Sequence, residues 1–147
     1  MGATLKAYDP AQVAVIFGGA KLEGTVPGSR VKISFPEMFT KVVGTDGEVA
    51  RGKKNDRTVK ITIELLQTSL SNDVLMGFHL ADLAAPAGVP LPAMVKNLLG
   101  TFLVLAPGAW LVGPPSEVAY GPDVVGNAWV IDTGQAQSFV GGQVSLT

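Results

Sequence analysis

The chain has no cysteine, a single histidine and, past residue 75, almost no charge. Without cysteine there are neither disulfides nor thiolate metal ligands. With His79 as the sole imidazole, a zinc site would draw nearly all its ligands from carboxylates, and no acidic cluster stands out. No N-x-[ST] glycosylation acceptor occurs. The longest apolar stretch, Leu98 to Val112, is interrupted by Gly100, Pro107 and Gly108, and is too short and broken to cross a bilayer as a helix. The opening, Met1 to Pro10, lacks the apolar run of a secretory signal, so folding in a cytoplasm is expected. Charged residues make up 16% of the 147, against about 25% in an average domain. A net charge of -1 supplies no overall basic field for gripping nucleic acid.

The charge that exists is unevenly placed. Ten basic and eight acidic side chains fall in residues 1–75. Residues 76–147 carry Lys96, Asp82, Glu117, Asp123 and Asp132 and no other charge. A monomer needs a wetted surface, and this half has little to wet. Cover by further copies or partners is the favoured reading, with an ordinary apolar domain surfaced by Ser, Thr, Asn and Gln as the alternative. The hydrophobic share of 47% excludes a disordered chain, and 18 glycines with 10 prolines argue against a helical bundle. The length suits one domain, residues 1–147, with a real core.

Strand patterns dominate. Val13 to Phe17 is β-rich and ends in Gly18-Gly19. Val31 to Phe35 alternates with period two, and Met38 to Val43 favours an extended chain. Asp46-Gly47 is a hairpin-turn signal, with Glu48 to Ala50 as a short returning strand. From Arg57 to Leu66, Val59, Ile61, Ile63 and Leu65 form a core face, and Thr58, Lys60, Thr62 and Glu64 form a polar one. One helix is predicted over about residues 69–82, with Leu70, Val74 and Phe78 as its apolar stripe. Further strands are expected at Ala93 to Leu98, Thr101 to Leu105, Asn127 to Thr133 and Gln137 to Val144, separated by Pro107, Pro114, Pro115 and Pro122. The fold class is mainly β: an antiparallel sandwich or partly closed barrel with one flanking helix.

Motifs for catalysis are absent or out of context. Gly47 to Lys54 nearly matches a phosphate-binding loop, but Lys54 stands where a hydroxyl should hold magnesium, and a strand rather than a helix follows. His79, between Phe78 and Leu80, reads as a surface or core-edge residue and not as a catalytic base. The basic cluster Arg51, Lys53, Lys54 and Arg57 lacks the interleaved aromatics of a single-strand stacking site. It suits either a solvated loop tip or acids on an adjoining subunit. Trp110 and Trp129 read as core residues, with interface anchoring as the alternative. No enzyme activity, cofactor or metal is expected.

The order of elements from Gly44 through the charged loop and the alternating strand to Leu75 resembles the tail tube proteins of long-tailed bacteriophages, particularly the contractile-tailed kind. Ala7-Tyr8-Asp9-Pro10 near the start, and Ala128 to Gly134 with Phe139 to Gly142 near the end, extend the resemblance over nearly the whole chain. It implies a protomer of hexameric rings that stack into a hollow virion tail tube, assembled in the host bacterial cytoplasm. A sheath would lie outside, and tape measure protein and DNA would pass inside without sequence-specific binding. No membrane is involved.

A protruding loop over about residues 44–57 is then the natural inter-ring contact, through Gly44, Thr45, Asp46, Gly47, Glu48, Arg51, Lys53, Lys54 and Asp56. Thr58, Lys60, Thr62 and Glu64 are expected to face the lumen, with Glu64 offsetting Lys60. From another class, a small-molecule-binding β-barrel would need an apolar pocket and an up-and-down strand series.

Overall fold

The computed structural model describes residues 13–23 and 31–142. The segment Ala7 to Pro10 and the end of the strand expected to reach Val144 lie outside the described residues. Among those described are β1 (Val13–Phe17), β2 (Ala20–Lys21), β3 (Val31–Ser34), β4 (Phe39–Val43), β5 (Val49–Lys53) and β6 (Lys60–Leu66). Then follow α1 (Ser71–Ala84), β7 (Leu91–Asn97), β8 (Leu103–Leu111), β9 (Gly126–Thr133) and β10 (Gln137–Phe139). The main antiparallel sheet has the order β2-β1-β7-β8-β9-β6-β3, with β10 also against β8, and β4–β5 form a separate hairpin. The sheet does not close into a barrel; the architecture is sandwich-like.

β6 anchors the core because its period-two pattern leaves only one register that buries the apolar set. Ile61, Ile63 and Leu65 are fully buried, as are Val95, Val104 and Ile131 on β7, β8 and β9 of the same sheet. Each such side chain contributes roughly 1.5–3 kcal/mol relative to exposure. At the start of the sheet, Gly18 and Gly19 both have positive φ, which a two-residue type I′ turn between β1 and β2 requires.

The helix forms where expected but turns a different face inward. Leu75 and His79 are buried, whereas Leu70 is 77% exposed and Val74 is also exposed. Leu75, His79 and the partly buried Met76 and Phe78 face the sheet, and the ring of Phe78 meets Phe17 edge-on at 5.5 Å. The N-terminus is Leu70, with no side-chain cap; Ser69 Oγ instead accepts the Ser71 N–H and donates to the Glu23 carbonyl.

The expected break at Pro107 does not occur. β8 runs through Pro107 and Gly108 as one strand with a bulge, where its pairing to β7 slips by one residue between Leu91 and Ala93. On its other edge β8 pairs with β10 and then with β9, and the gap at residues 134–136 lies opposite the bulge. The proline therefore sits where neither neighbour continues a regular ladder. The bulge switches parity: Val104 and Ala106 point inward before it, Ala109 and Leu111 after it. Trp110 is thereby turned outward and is 40% exposed, contrary to the core placement expected for it, while Trp129 is buried.

Candidate assembly surfaces

The first surface is the outer face of the sheet around β6. Lys60, Thr62 and Glu64 point away from the buried residues, as the alternation requires, and Thr58 precedes them on the same side. Cross-strand pairing extends this face. Ser34, Lys60, Asp132 and Trp110 lie in one row across β3, β6, β9 and β8, and Lys32, Thr62 and Val130 lie in the next. Lys60 therefore has Asp132 directly opposite. Glu64, expected to offset it, stands four residues along the strand, roughly 13 Å away at a strand's rise per residue. Lys32, Lys60, Glu64 and Asp132 give the face equal numbers of positive and negative groups. Beside Lys60 an open groove of about 560 Å³ is lined by Phe35, Pro36, Trp110 and Asp132 among others.

The second surface is the segment expected to be a protruding loop at 44–57. It is not a loop throughout. β4 and β5 pair from Phe39↔Lys53 to Val43↔Val49, and the closing Lys54 N–H donates to the Met38 carbonyl at 2.8 Å. Gly44, Thr45, Asp46, Gly47 and Glu48 form the turn. The Gly47 N–H bonds the Gly44 carbonyl, the Gly44 N–H bonds the Glu48 carbonyl, and Asp46 Oδ1 accepts the Glu48 N–H. Gly47, at φ 88°, takes the left-handed conformation that this bulged turn needs. Asp-Gly chemistry thus nucleates a longer ribbon than the short return expected.

Every residue of β4 and β5 is exposed. Directly opposed residues share a face, so Phe39, Lys53, Lys41, Arg51, Val43 and Val49 lie on one side. Thr40, Gly52, Val42 and Ala50 lie on the other, with no charge. The Arg51 guanidinium stacks over the Phe39 ring at 4.7 Å. Lys54 and Asp56 lie beyond the ribbon, in the link to β6. The Asp56 carboxylate accepts from Thr58 Oγ1 at 2.6 Å and from the Thr58 N–H at 3.1 Å. Those two hydrogen bonds hold its pKa below the usual carboxylate value, with a smaller lowering from Lys54.

A third surface gave no sequence signal. Residues 112–125 join β8 to β9 without regular structure, and Val112, Val118, Tyr120, Val124 and Val125 are all exposed. Gln67 ties this segment down: its side chain donates to the Ala119 carbonyl and accepts from the Val125 N–H, and its backbone N–H donates to the Val125 carbonyl. Beside it, Asn72 links the start of α1 to the sheet by bonding the Trp129 indole N–H and the Leu66 and Ser69 carbonyls.

Nothing among the described residues assembles chemistry. They contain no group of three or more His, Cys, Asp or Glu able to hold a metal, and no helix long and apolar enough to cross a membrane. His79 is packed between α1 and the sheet with Nδ1 unpartnered. The near phosphate-loop motif lies along the hairpin and leads into β6, so no helix N-terminus meets it.

No family model matches the sequence, and no curated protein matches it significantly. Solved structures do match. The cap of the anti-feeding prophage, a tube-terminating cap, aligns with a TM-score of 0.59 at 10% identity, over 98% of this chain and 96% of that one. A chain of the sheath–tube complex of an extracellular contractile injection system, PVC, in the extended state, aligns with a TM-score of 0.55 at 13% identity, over 94% and 93%. A chain of the sheath/tube terminator of PVC gives 0.54 at 12% identity, over 94% and 100%. The chain therefore has the fold of structural components of contractile injection particles, and those neighbours are tail parts rather than enzymes.

Proposed function

We propose that this chain is a structural protomer of a phage-type tail or injection particle, forming hexameric rings that stack into a hollow tube for DNA passage. The observation that carries the reading is the nearly full-length fold match to tube, terminator and cap assemblies. The exposed ribbon supports it. A lone two-stranded hairpin is at best marginally stable in water, so β4–β5 is built to lie against something. Its Gly44 to Glu48 turn, Arg51 and Lys53, with Lys54 and Asp56 at its base, form the inter-ring contact. Thr58, Lys60, Thr62 and Glu64 face the lumen. The balanced charge around them suits a wall along which a polyanion slides, whereas a basic wall would hold phosphate. The exposed side of α1 with Leu70, Val74 and Leu80 lies outward, toward a sheath.

A second reading, a ring that terminates the tube, is favoured by the match to the prophage cap. Electron microscopy of the purified protein tests both. Tubes of stacked rings support the tube protomer, single rings that do not stack support the terminator, and monomer at all concentrations, with or without tail partners, overturns both. A small-molecule-binding barrel is disfavoured by the unclosed sheet and the side-chain-filled core.

A further inference from the structure

The β4–β5 ribbon and the later part of the 112–125 segment, from Ala119 to Val125, lie at opposite ends of β6; the segment starts mid-strand, where the Val112 N–H bonds the Val130 carbonyl. The ribbon joins β3 and β6 at the Lys60 end of β6. The 112–125 segment is fixed to Gln67, just past the Leu66 end. Seven residues of strand separate them, a span of roughly 20 Å. Their chemistry is complementary. The ribbon's ladder carries Lys41, Arg51 and Lys53 on one face, with exposed Phe39, Val43 and Val49 among them. The 112–125 segment carries Glu117 and Asp123 with no basic residue, and exposed Val118, Val124 and Tyr120, the last 88% exposed.

We infer that the cationic face of the ribbon docks on the 112–125 segment of a second copy of this chain. The inference rests on the assembly reading above and names the receptor that reading leaves open. Two different, complementary patches at opposite ends of one protomer make a head-to-tail contact. Such a contact leaves one ribbon and one receptor free after every addition, so it propagates where a self-paired contact would stop at a dimer. Opposite charges set the register and steer the encounter, and the apolar residues between them supply the buried area. Tyr120 is the anchor: a large exposed aromatic beside acids, facing a ribbon of aliphatic and cationic side chains.

The absence of cysteine makes a clean test possible. The double variant T40C/S116C, which leaves Tyr120 and the cationic face in place, is treated with a short bismaleimide crosslinker in its assembled form and is expected to give a ladder beyond dimer on a denaturing gel. T40C and S116C alone stop at dimer. In the same background, E117K/D123K is expected to cut the ladder at least tenfold. Adding K41E/R51E/K53E is expected to restore most of it. Melting curves of each variant show that the protomer still folds. Rings or tubes without a ladder, or a ladder indifferent to the charge reversals, overturn this inference and leave the proposed function standing. Failure of the unmodified chain to form any ring overturns the proposed function as well.

Discussion

Replacing Asn72 by alanine tests how the helix is held to the sheet. Asn72 Oδ1 accepts the Trp129 indole N–H at 2.8 Å, and its Nδ2 donates to the Leu66 and Ser69 carbonyls at 2.8 and 2.9 Å. Trp129 is only 3% exposed, so in Asn72→Ala its N–H is left buried without a partner. A stranded buried donor costs about 1–3 kcal/mol, and each lost carbonyl bond up to about 1 kcal/mol more where water does not replace it. The expected loss is about 3 kcal/mol, or a fall in melting temperature of roughly 6–12 °C for a chain of this size. Urea unfolding of the dissociated protomer measures it. The second arm is the same substitution in a Trp129→Phe background, where no indole N–H remains to be stranded. There Asn72→Ala should cost less by about 1–2 kcal/mol, the coupling expected of groups in direct contact. A loss under about 0.5 kcal/mol, or an equal loss in both backgrounds, refutes the reasoning.

Three further predictions follow from single sites. His79→Leu is expected to be neutral or stabilising by about 1 kcal/mol, because it removes a buried nitrogen with no partner; a loss above about 2 kcal/mol would mean the imidazole is satisfied. Gly100→Ala drives a Cβ into the Gly142 carbonyl oxygen, and the expected overpacking cost is about 1–3 kcal/mol, read as a lower urea midpoint with unchanged slope. The third concerns acid. The folded pKa of Asp56 is lowered, chiefly by the Thr58 hydroxyl, so its contribution to stability is full above the unfolded value of about 3.9 and is lost as pH falls through the folded value. The melting-temperature gap between wild type and Asp56→Asn should therefore shrink on acidification below about pH 4, and a gap that widens there would contradict the assignment.

Local pattern was legible where only one arrangement satisfied it. β6 could be read residue by residue because Val59, Ile61, Ile63 and Leu65 have a single burying register. The Asp46-Gly47 turn announced its hairpin. The helix was legible in extent but only partly in orientation: of the stripe Leu70-Val74-Phe78, Phe78 alone packs on the sheet, edge-on to Phe17 beside Leu75 and His79, while Leu70 and Val74 stay exposed. The course of β8 was hidden because Pro107 reads as a breaker unless the gap at 134–136 beside it is known. Of the candidate surfaces, the polar side of β6 and the position of the exposed hairpin turn could be read, because alternation and turn chemistry are local. The length of the ribbon, the division of its two faces and the 112–125 surface could not, because they depend on which residues the fold brings side by side.

The bulge in β8 also bears on how this chain can diverge. On its two sides the same strand obeys opposite parities, inward at 104 and 106, then at 109 and 111. Deleting one residue at 107 or 108 would remove the bulge and leave one unbroken alternation, with Ala109 and Leu111 still inward, Trp110 still outward and the ladder to β7 in a single register. The strand can therefore change its length by one residue at this point while every later side chain keeps its face and the core beneath it stays filled.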